Sequence, residues 1–135
     1  MLAQWNDDLS VQQRTLDRDH ENLLSIFNRL DDYLLENNDK KLILDVFGEL
    51  VDAMSDHFWR EEQIMRIVKY SGLPEHEAKH RYFERQLSIL LYQFDIDQRK
   101  ISVENLRVLG NLFLTHIVVD DRRMVQEVFS YSSIG

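Results

Sequence analysis

Apolar side chains recur every three or four residues along most of this chain, the pattern of amphipathic helices. Residues 17–37 predict the first helix, with Asp17 as its N-terminal cap. Its repeating apolar positions are Leu23, Phe27, Leu30 and Leu34. Residues 1–16 precede the pattern and are predicted to form an N-terminal arm.

Three further segments repeat the pattern, and they span residues 40–70, 74–94 and 102–121. Asp39 and Ser102 can cap the second and fourth helices, and Pro74 fits a first helical position. The inward positions are Val46, Leu50, Met54, His57, Glu61 and Met65, then His76, His80, Phe83, Leu87, Leu90 and Phe94, and finally Leu106, Leu109, Phe113 and His116. Four such helices with short connections predict an all-α fold, an up-down-up-down antiparallel four-helix bundle with an N-terminal arm.

Composition places the chain among globular proteins with one domain, residues 1–135, since 44% of its residues are hydrophobic and 30% are charged. No stretch approaches the roughly 18 apolar residues of a membrane span, and the start lacks the pattern of a signal peptide. We therefore expect a cytoplasmic protein without a membrane partner. The net charge of −8 argues against binding nucleic acid, which requires clustered Lys and Arg.

The histidines are the candidate chemistry of the chain. All five fall on the predicted inward stripes, at positions 20, 57, 76, 80 and 116. They lie at the start of the first and third helices and towards the end of the second and fourth, which is one end of an antiparallel bundle. Five buried imidazoles crowded together without metal would cost several kcal/mol. The placement therefore predicts a metal site.

The spacing and number of ligands indicate more than one ion. His57 with Glu61 and His76 with His80 are i, i+4 pairs, so each pair can chelate from one helix face. With no cysteine in the chain, the ligands must be His, Asp and Glu, which suit iron, manganese or zinc. A single zinc takes about four ligands, fewer than are available here. Two ions bridged by carboxylates would use all of the available ligands.

Several motifs in this order resemble the hemerythrin family, and in particular its single-domain bacterial members. They are the arm 5–11, the run Asp17-Arg18-Asp19-His20, the run from His57 to Met65, His76-x-x-x-His80, and His116-Ile117 followed by Asp121. The resemblance implies two iron ions joined by an oxo or hydroxo group. It implies that one iron is bound by His76, His80 and His116, the other by His20 and His57, and both by Glu61 and Asp121.

This ligand set implies a function in oxygen binding. If each iron is roughly octahedral, the ligands and bridge leave one position open, on the iron with two histidines. In the family, dioxygen binds there as the reduced irons give up two electrons. The candidates for the apolar lining of that pocket are Leu23, Leu24, Phe58, Leu112 and Ile117, and the alternative for each is a place in the ordinary core. Leu112 stands where the family often has Trp, so the access route can differ.

The resemblance implies reversible dioxygen binding, for oxygen storage, delivery or buffering, and no enzymatic activity. An oxygen-requiring enzyme could receive the oxygen, although the sequence does not identify it. One alternative is a di-iron oxidase, or an enzyme handling peroxide or nitric oxide. A second is an oxygen or iron sensor acting through a separate partner.

Three acidic positions near the expected ligands leave their roles open. Spacing favours Asp120 as the bridging aspartate, because four residues after His116 an α-helix returns to within about 40° of the same face. The family pattern matches Asp121, which requires a local i→i+5 turn. We choose Asp121 and expect Asp120 to be a surface or helix-terminal carboxylate whose removal has a modest effect. Asp19 and Glu62 are expected to be solvated or capping charges, with orientation of ligand histidines as the alternative.

Overall fold

The computed structural model describes residues 1–36, 39–96 and 103–134, with side chains described to residue 129. Its helices are α1 (Arg14–Glu36), α2 (Lys40–Ile67), α3 (Leu73–Ile96), α4 (Val103–His116) and α5 (Arg122–Ile134). A π-helical segment, Ile117–Asp121, joins α4 to α5 in one continuous rod. These residues contain no strand, and the all-α prediction is confirmed.

The helices pack in a closed ring, α1 on α2, α2 on α3, α3 on α4 and α4 on α1. Every position predicted to face inward on α2, α3 and α4 is buried. On α1, Leu23, Phe27 and Leu30 are buried, whereas Leu34 near the helix end is half-buried. The periodic apolar stripes therefore form one core, and the predicted four-helix bundle is confirmed.

The start of the first helix differs from the prediction. α1 begins at Arg14, and the N–H of Asp17 already donates to the carbonyl of Gln13 within the first turn. The Asp17 carboxylate accepts from the Ser10 hydroxyl at 2.6 Å and from the Val11 N–H at 2.8 Å. The prediction that Asp17 caps the helix is wrong, because its carboxylate attaches the arm to the helix instead.

The structure also tests the predicted starts of the second and third helices. Asp39 accepts hydrogen bonds from the backbone N–H groups of Lys41 and Leu42, so its role as the cap of α2 is confirmed. α3 begins at Leu73, one residue before Pro74, which lies in the first turn. The predicted cap Ser102 lies outside the described residues.

Hydrogen bonds attach the N-terminal arm to the bundle. The amino group of Met1 donates to buried Asp31 at 2.8 Å, and Arg107 of α4 bonds the same carboxylate at 2.8 and 3.0 Å. Asn28 accepts from the backbone N–H of Leu2 at 2.6 Å. The arm therefore bonds directly to α1. None of the described helices combines the length and apolarity needed to cross a bilayer.

Candidate metal centre

Seven ionisable side chains are buried together within the bundle, each at most 4% exposed. They are His20, His57, Glu61, His76, His80, His116 and Asp121. α1 supplies His20, and α2 supplies His57 and Glu61. α3 supplies His76 and His80, and the rod of α4 and the π segment supplies His116 and Asp121. The predicted convergence of the histidines is confirmed, and the structure brings the two predicted carboxylates into the same cluster.

Glu61 stands between two sets of imidazoles and presents a different oxygen to each. Its Oε2 lies 2.9 Å from Nε2 of His57 and 3.3 Å from Nε2 of His20. Its Oε1 lies 3.1 Å from Nε2 of His80 and 3.4 Å from Nε2 of His76. One carboxylate thus faces histidines from three helices.

Asp121 repeats this arrangement from the opposite helical rod. Its Oδ2 lies 3.1 Å from Nε2 of His20, and its Oδ1 lies 2.8 Å from Nε2 of His76 and 3.1 Å from Nε2 of His116. The ligand atoms form two overlapping groups, each with all its atoms within 4.8 Å of one another. We call them the three-histidine group (His76, His80, His116) and the two-histidine group (His20, His57), and both include Glu61 and Asp121.

The π-helical segment explains how His116 and Asp121 face the same cluster. Five residues along an α-helix would turn Asp121 about 140° away from His116. Here the N–H of Arg122 donates to the carbonyl of Ile117, an i→i+5 bond, and Asp121 is fully buried. The predicted i→i+5 turn is confirmed. π-helical turns are often found at functional sites.

Asp120 is neither fully exposed nor at the end of a helix, the two positions expected for it, because it lies within the π-helical segment and is half-buried. Its side chain is 18% exposed, and it accepts hydrogen bonds from Nδ1 of His116 at 2.9 Å and from Lys79 at 2.7 Å. Four residues of helix do bring it beside His116, as the spacing indicated. It reaches the outer nitrogen of the ring, on the side away from the cluster.

Unpartnered polar atoms in the cluster fit a metal. Among the described residues, buried atoms without a hydrogen-bond partner include Nε2 of His57, His76, His80 and His116, Oε1 of Glu61 and both oxygens of Asp121. Leaving so many buried polar atoms unpaired is costly, since each loses its hydration without compensation. Imidazole nitrogens and carboxylate oxygens are suitable ligands for iron, manganese or zinc. The donor set therefore fits metal ions.

The facing charges also shift the pKa values within the cluster. Burial lowers the pKa of His20 and His76, but the close carboxylates of Asp121 and Glu61 outweigh burial and raise the pKa to about 10 and about 9, respectively. Burial raises the pKa of Glu61 and Asp121, but the surrounding histidines outweigh it and hold both pKa values below their usual range. Metal and protons therefore compete for the same nitrogens.

We expect the stabilisation that metal gives to this protein to grow with pH. In the metal-free protein, the raised pKa values of His20 and His76 contribute stability that is complete below the ordinary value of 6.5 and is lost as pH rises through about 9 and 10. Metal-bound imidazoles are already neutral, so the metal-loaded protein loses no stability through their deprotonation over this range. Urea unfolding of the metal-free and Zn²⁺-loaded protein from pH 6 to 10 measures the difference. A constant difference between the two free energies of unfolding would contradict the expectation.

Asp19 and Glu62 contact histidines of the cluster, which corrects the preferred prediction that they are solvated or capping charges. Asp19 lies 2.9 Å from Nδ1 of His57, and Glu62 lies 2.8 Å from Nδ1 of His80. Burial raises the pKa of each carboxyl, but the hydrogen bond from its histidine and the charge beside it lower the pKa overall. The alternative, that they orient these rings, agrees with the contacts.

The predicted lining divides into buried and exposed residues. Leu23, Leu24, Phe58 and Ile117 are buried, and the ring of Phe58 stacks on that of His80 with centroids 3.9 Å apart. Leu112 is 44% exposed, so it does not line the interior. The helical turn gives that inward place to the next residue, Phe113.

Two aromatic residues beside the cluster were predicted only as core. The centroid of the Phe113 ring lies 6.3 Å from that of His20 and 5.7 Å from that of Phe83. The centroids of the Phe83 and His116 rings lie 5.4 Å apart. Their inward helical positions predicted that both residues are buried, but nothing in the sequence predicted that their rings contact the histidines. Leu112 instead lines a surface groove of about 570 Å³ between α3 and α4, which also reaches Phe83 and His116.

Fold and cluster together define a four-helix-bundle domain with a candidate metal centre of histidines and carboxylates. The family model for the hemerythrin HHE cation binding domain matches residues 12–128, and the chain belongs to the hemerythrin family. The resemblance found in the sequence is therefore confirmed.

Individual relatives agree with this assignment. A bacteriohemerythrin of Pseudomonas aeruginosa (strain LESB58) is 28% identical over 124 residues, covering 92% of this chain and 80% of the relative. A bacteriohemerythrin of Stenotrophomonas maltophilia is 25% identical over 128 residues, covering 94% and 82%. A myohemerythrin of Riftia pachyptila is 31% identical over 91 residues, covering 67% and 70%. No solved structure gives a significant match.

Proposed function

We propose that this chain binds dioxygen reversibly at two iron ions. His76, His80 and His116 would hold one iron, His20 and His57 the other, and Glu61 and Asp121 both. The observation that carries this proposal is that each of the two carboxylates turns one oxygen towards each histidine group. When bound, a reduced pair of irons, joined by an oxo or hydroxo group, can lend two electrons to dioxygen and recover them on its release.

The surrounding residues suit binding without consumption of the oxygen. Buried Phe58, Phe113 and Ile117 keep water away from the ligand atoms, and water exclusion suppresses proton leakage and side reactions. The three acidic residues bonded to the outer nitrogens, Asp19, Glu62 and Asp120, each already bind a cation as well. A turnover reaction would need an acid that delivers protons, and these carboxylates are engaged as acceptors. Binding is therefore favoured over oxidase chemistry.

Anaerobic loading with Fe²⁺ followed by oxygen tests the proposal. We expect two irons per chain and a visible absorption band that develops with oxygen and disappears when oxygen is removed, over several cycles. The matched control is His76→Gln, which removes one ligand of the three-histidine group and should lower the iron content. One metal per chain in the unaltered protein would overturn the di-iron assignment. Continuous oxygen consumption with a reductant, without a reversible band, would favour the oxidase alternative.

A further inference from the structure

Three of the five histidines of the cluster are backed by the same sequence of contacts, which we call a relay. In each relay, Nδ1 of the histidine bonds a carboxylate, and that carboxylate bonds a cation nearer the surface. The three relays are His57–Asp19–Arg60, His80–Glu62–Arg81 and His116–Asp120–Lys79. The distances are 2.9 and 2.8 Å in the first, 2.8 and 2.6 Å in the second, and 2.9 and 2.7 Å in the third.

We propose that the three relays position the metal ligands and that their outer cations hold each carboxylate in place against the imidazole N–H. This inference rests on the proposed function, because it assigns roles around the same metal centre. It names Asp19, Glu62 and Asp120 as positioning residues. It extends the centre through the cations to the protein surface.

The carboxylates fix which nitrogen faces the cluster. An ionised carboxylate only accepts hydrogen bonds, so the histidine nitrogen that meets it must carry the hydrogen. In His57, His80 and His116 that nitrogen is Nδ1, which leaves the lone pair on Nε2 for a metal. The same Nε2 atoms are buried without a hydrogen-bond partner. Each relay therefore presents a ready ligand atom and prevents ring rotation.

The cations stand between the carboxylates and solvent. Arg60, Arg81 and Lys79 are 42%, 52% and 51% exposed, whereas their carboxylates are 19%, 6% and 18% exposed. A cation compensates the charge of a poorly hydrated carboxylate and keeps it ionised. The same bond holds the carboxylate in place beside the imidazole N–H. Removing the cation should therefore affect the ring only through the carboxylate.

The relays are distributed unequally between the two groups. The three-histidine group has two, through His80 and His116, and the two-histidine group has one, through His57. His20 has no such support, because its Nδ1 is buried without a hydrogen-bond partner. The two-histidine group therefore depends on Asp19 alone.

The relay through His57 offers the sharpest test. Asp19→Asn keeps the size of the side chain but removes its charge, and we expect an affinity loss of about 10- to 100-fold for the metal at the two-histidine group, measured with Zn²⁺ and separately with Fe²⁺ by chelator competition. Arg60→Gln should cause a smaller loss, and none in the Asp19→Asn background. The control is Arg29→Gln, since Arg29 is 41% exposed and pairs at 2.7 Å with Glu49, a half-exposed carboxylate, between the same two helices.

A second measurement separates positioning from a merely structural role. In the Zn²⁺-loaded protein, NMR should show an Nδ1 proton on His57 that exchanges slowly with solvent, and Asp19→Asn should accelerate that exchange while helical content stays unchanged. Because Zn²⁺ requires neither iron nor oxygen, this result stands even if the oxygen-binding proposal fails. Unchanged affinity and unchanged proton exchange in Asp19→Asn would overturn the inference. An equal effect of Arg60→Gln with and without Asp19 would show direct charge effects and overturn the role of the cation.

Discussion

Asp121→Ala is expected to abolish binding of the metal pair, the largest functional effect of any single change predicted for this chain. The substitution removes two fully buried oxygens, one facing each histidine group. The remaining imidazoles would then lose a shared anionic ligand as well as its charge. Metal content after loading with Fe²⁺ measures the result, and Asp121→Asn, with nearly the same volume, separates loss of charge from loss of packing.

The neighbouring residue provides the matched control for that experiment. Asp120→Ala removes the partner of Nδ1 of His116 but no atom that faces the cluster. We expect it to weaken metal binding while two ions can still be bound at higher metal concentration. Loss of the site in Asp120→Ala together with its retention in Asp121→Ala would reverse the assignment of the bridging residue.

Phe113→Ala is expected to lower the free energy of unfolding by about 3–5 kcal/mol. The Phe113 ring is 1% exposed and packs among the rings of Phe27, Phe58 and Phe83 as well as His20. Truncation would leave a cavity between the core and the cluster. Urea unfolding measures the effect, with the variants compared at equal metal content because bound metal adds its own stabilisation.

The adjacent Leu112 gives the control on the same helical turn. Leu112→Ala shortens a side chain that is 44% exposed at the rim of the groove, so a change of only about 0.5 kcal/mol is expected. Similar decreases in the free energy of unfolding for Leu112→Ala and Phe113→Ala would show that the inward face of α4 lies elsewhere.

The fold could be predicted from the sequence because burial follows helical periodicity. The stripes on α2 and α3 include every predicted inward position, since long helices that face one core repeat the same spacing many times. Helix starts depend on single residues and were harder to predict. Asp17 has the character of a cap, yet Ser10 and Val11 of the arm bond its carboxylate, and the helix starts three residues earlier.

The convergence of the histidines could be predicted from the antiparallel topology, but the contacts behind their rings could be predicted only within one helix. Asp19 and His57 are 38 residues apart, and Glu62 and His80 are 18 apart, so neither contact has a signature in local spacing. The contact of Asp120 with His116 did have one, at i, i+4, but spacing could not show which ring nitrogen the carboxylate meets. The spacing therefore correctly indicated that Asp120 lies close to His116, whereas the role of Asp120 could be seen only in the structure.

The π-helical segment also sets the phase of the last part of the chain. Each residue of an α-helix turns it by about 100°, so adding one residue between His116 and Asp121 would rotate all of α5, whereas deleting one would let the segment close into an α-helix of the same phase. After such an addition, Met124, Val125 and Val128, which are buried on α5, would turn towards solvent together with the carboxylate of Asp121. The π turn thus links packing and ligand placement, and we expect an added residue here to cause a folding defect as well as a loss of metal binding.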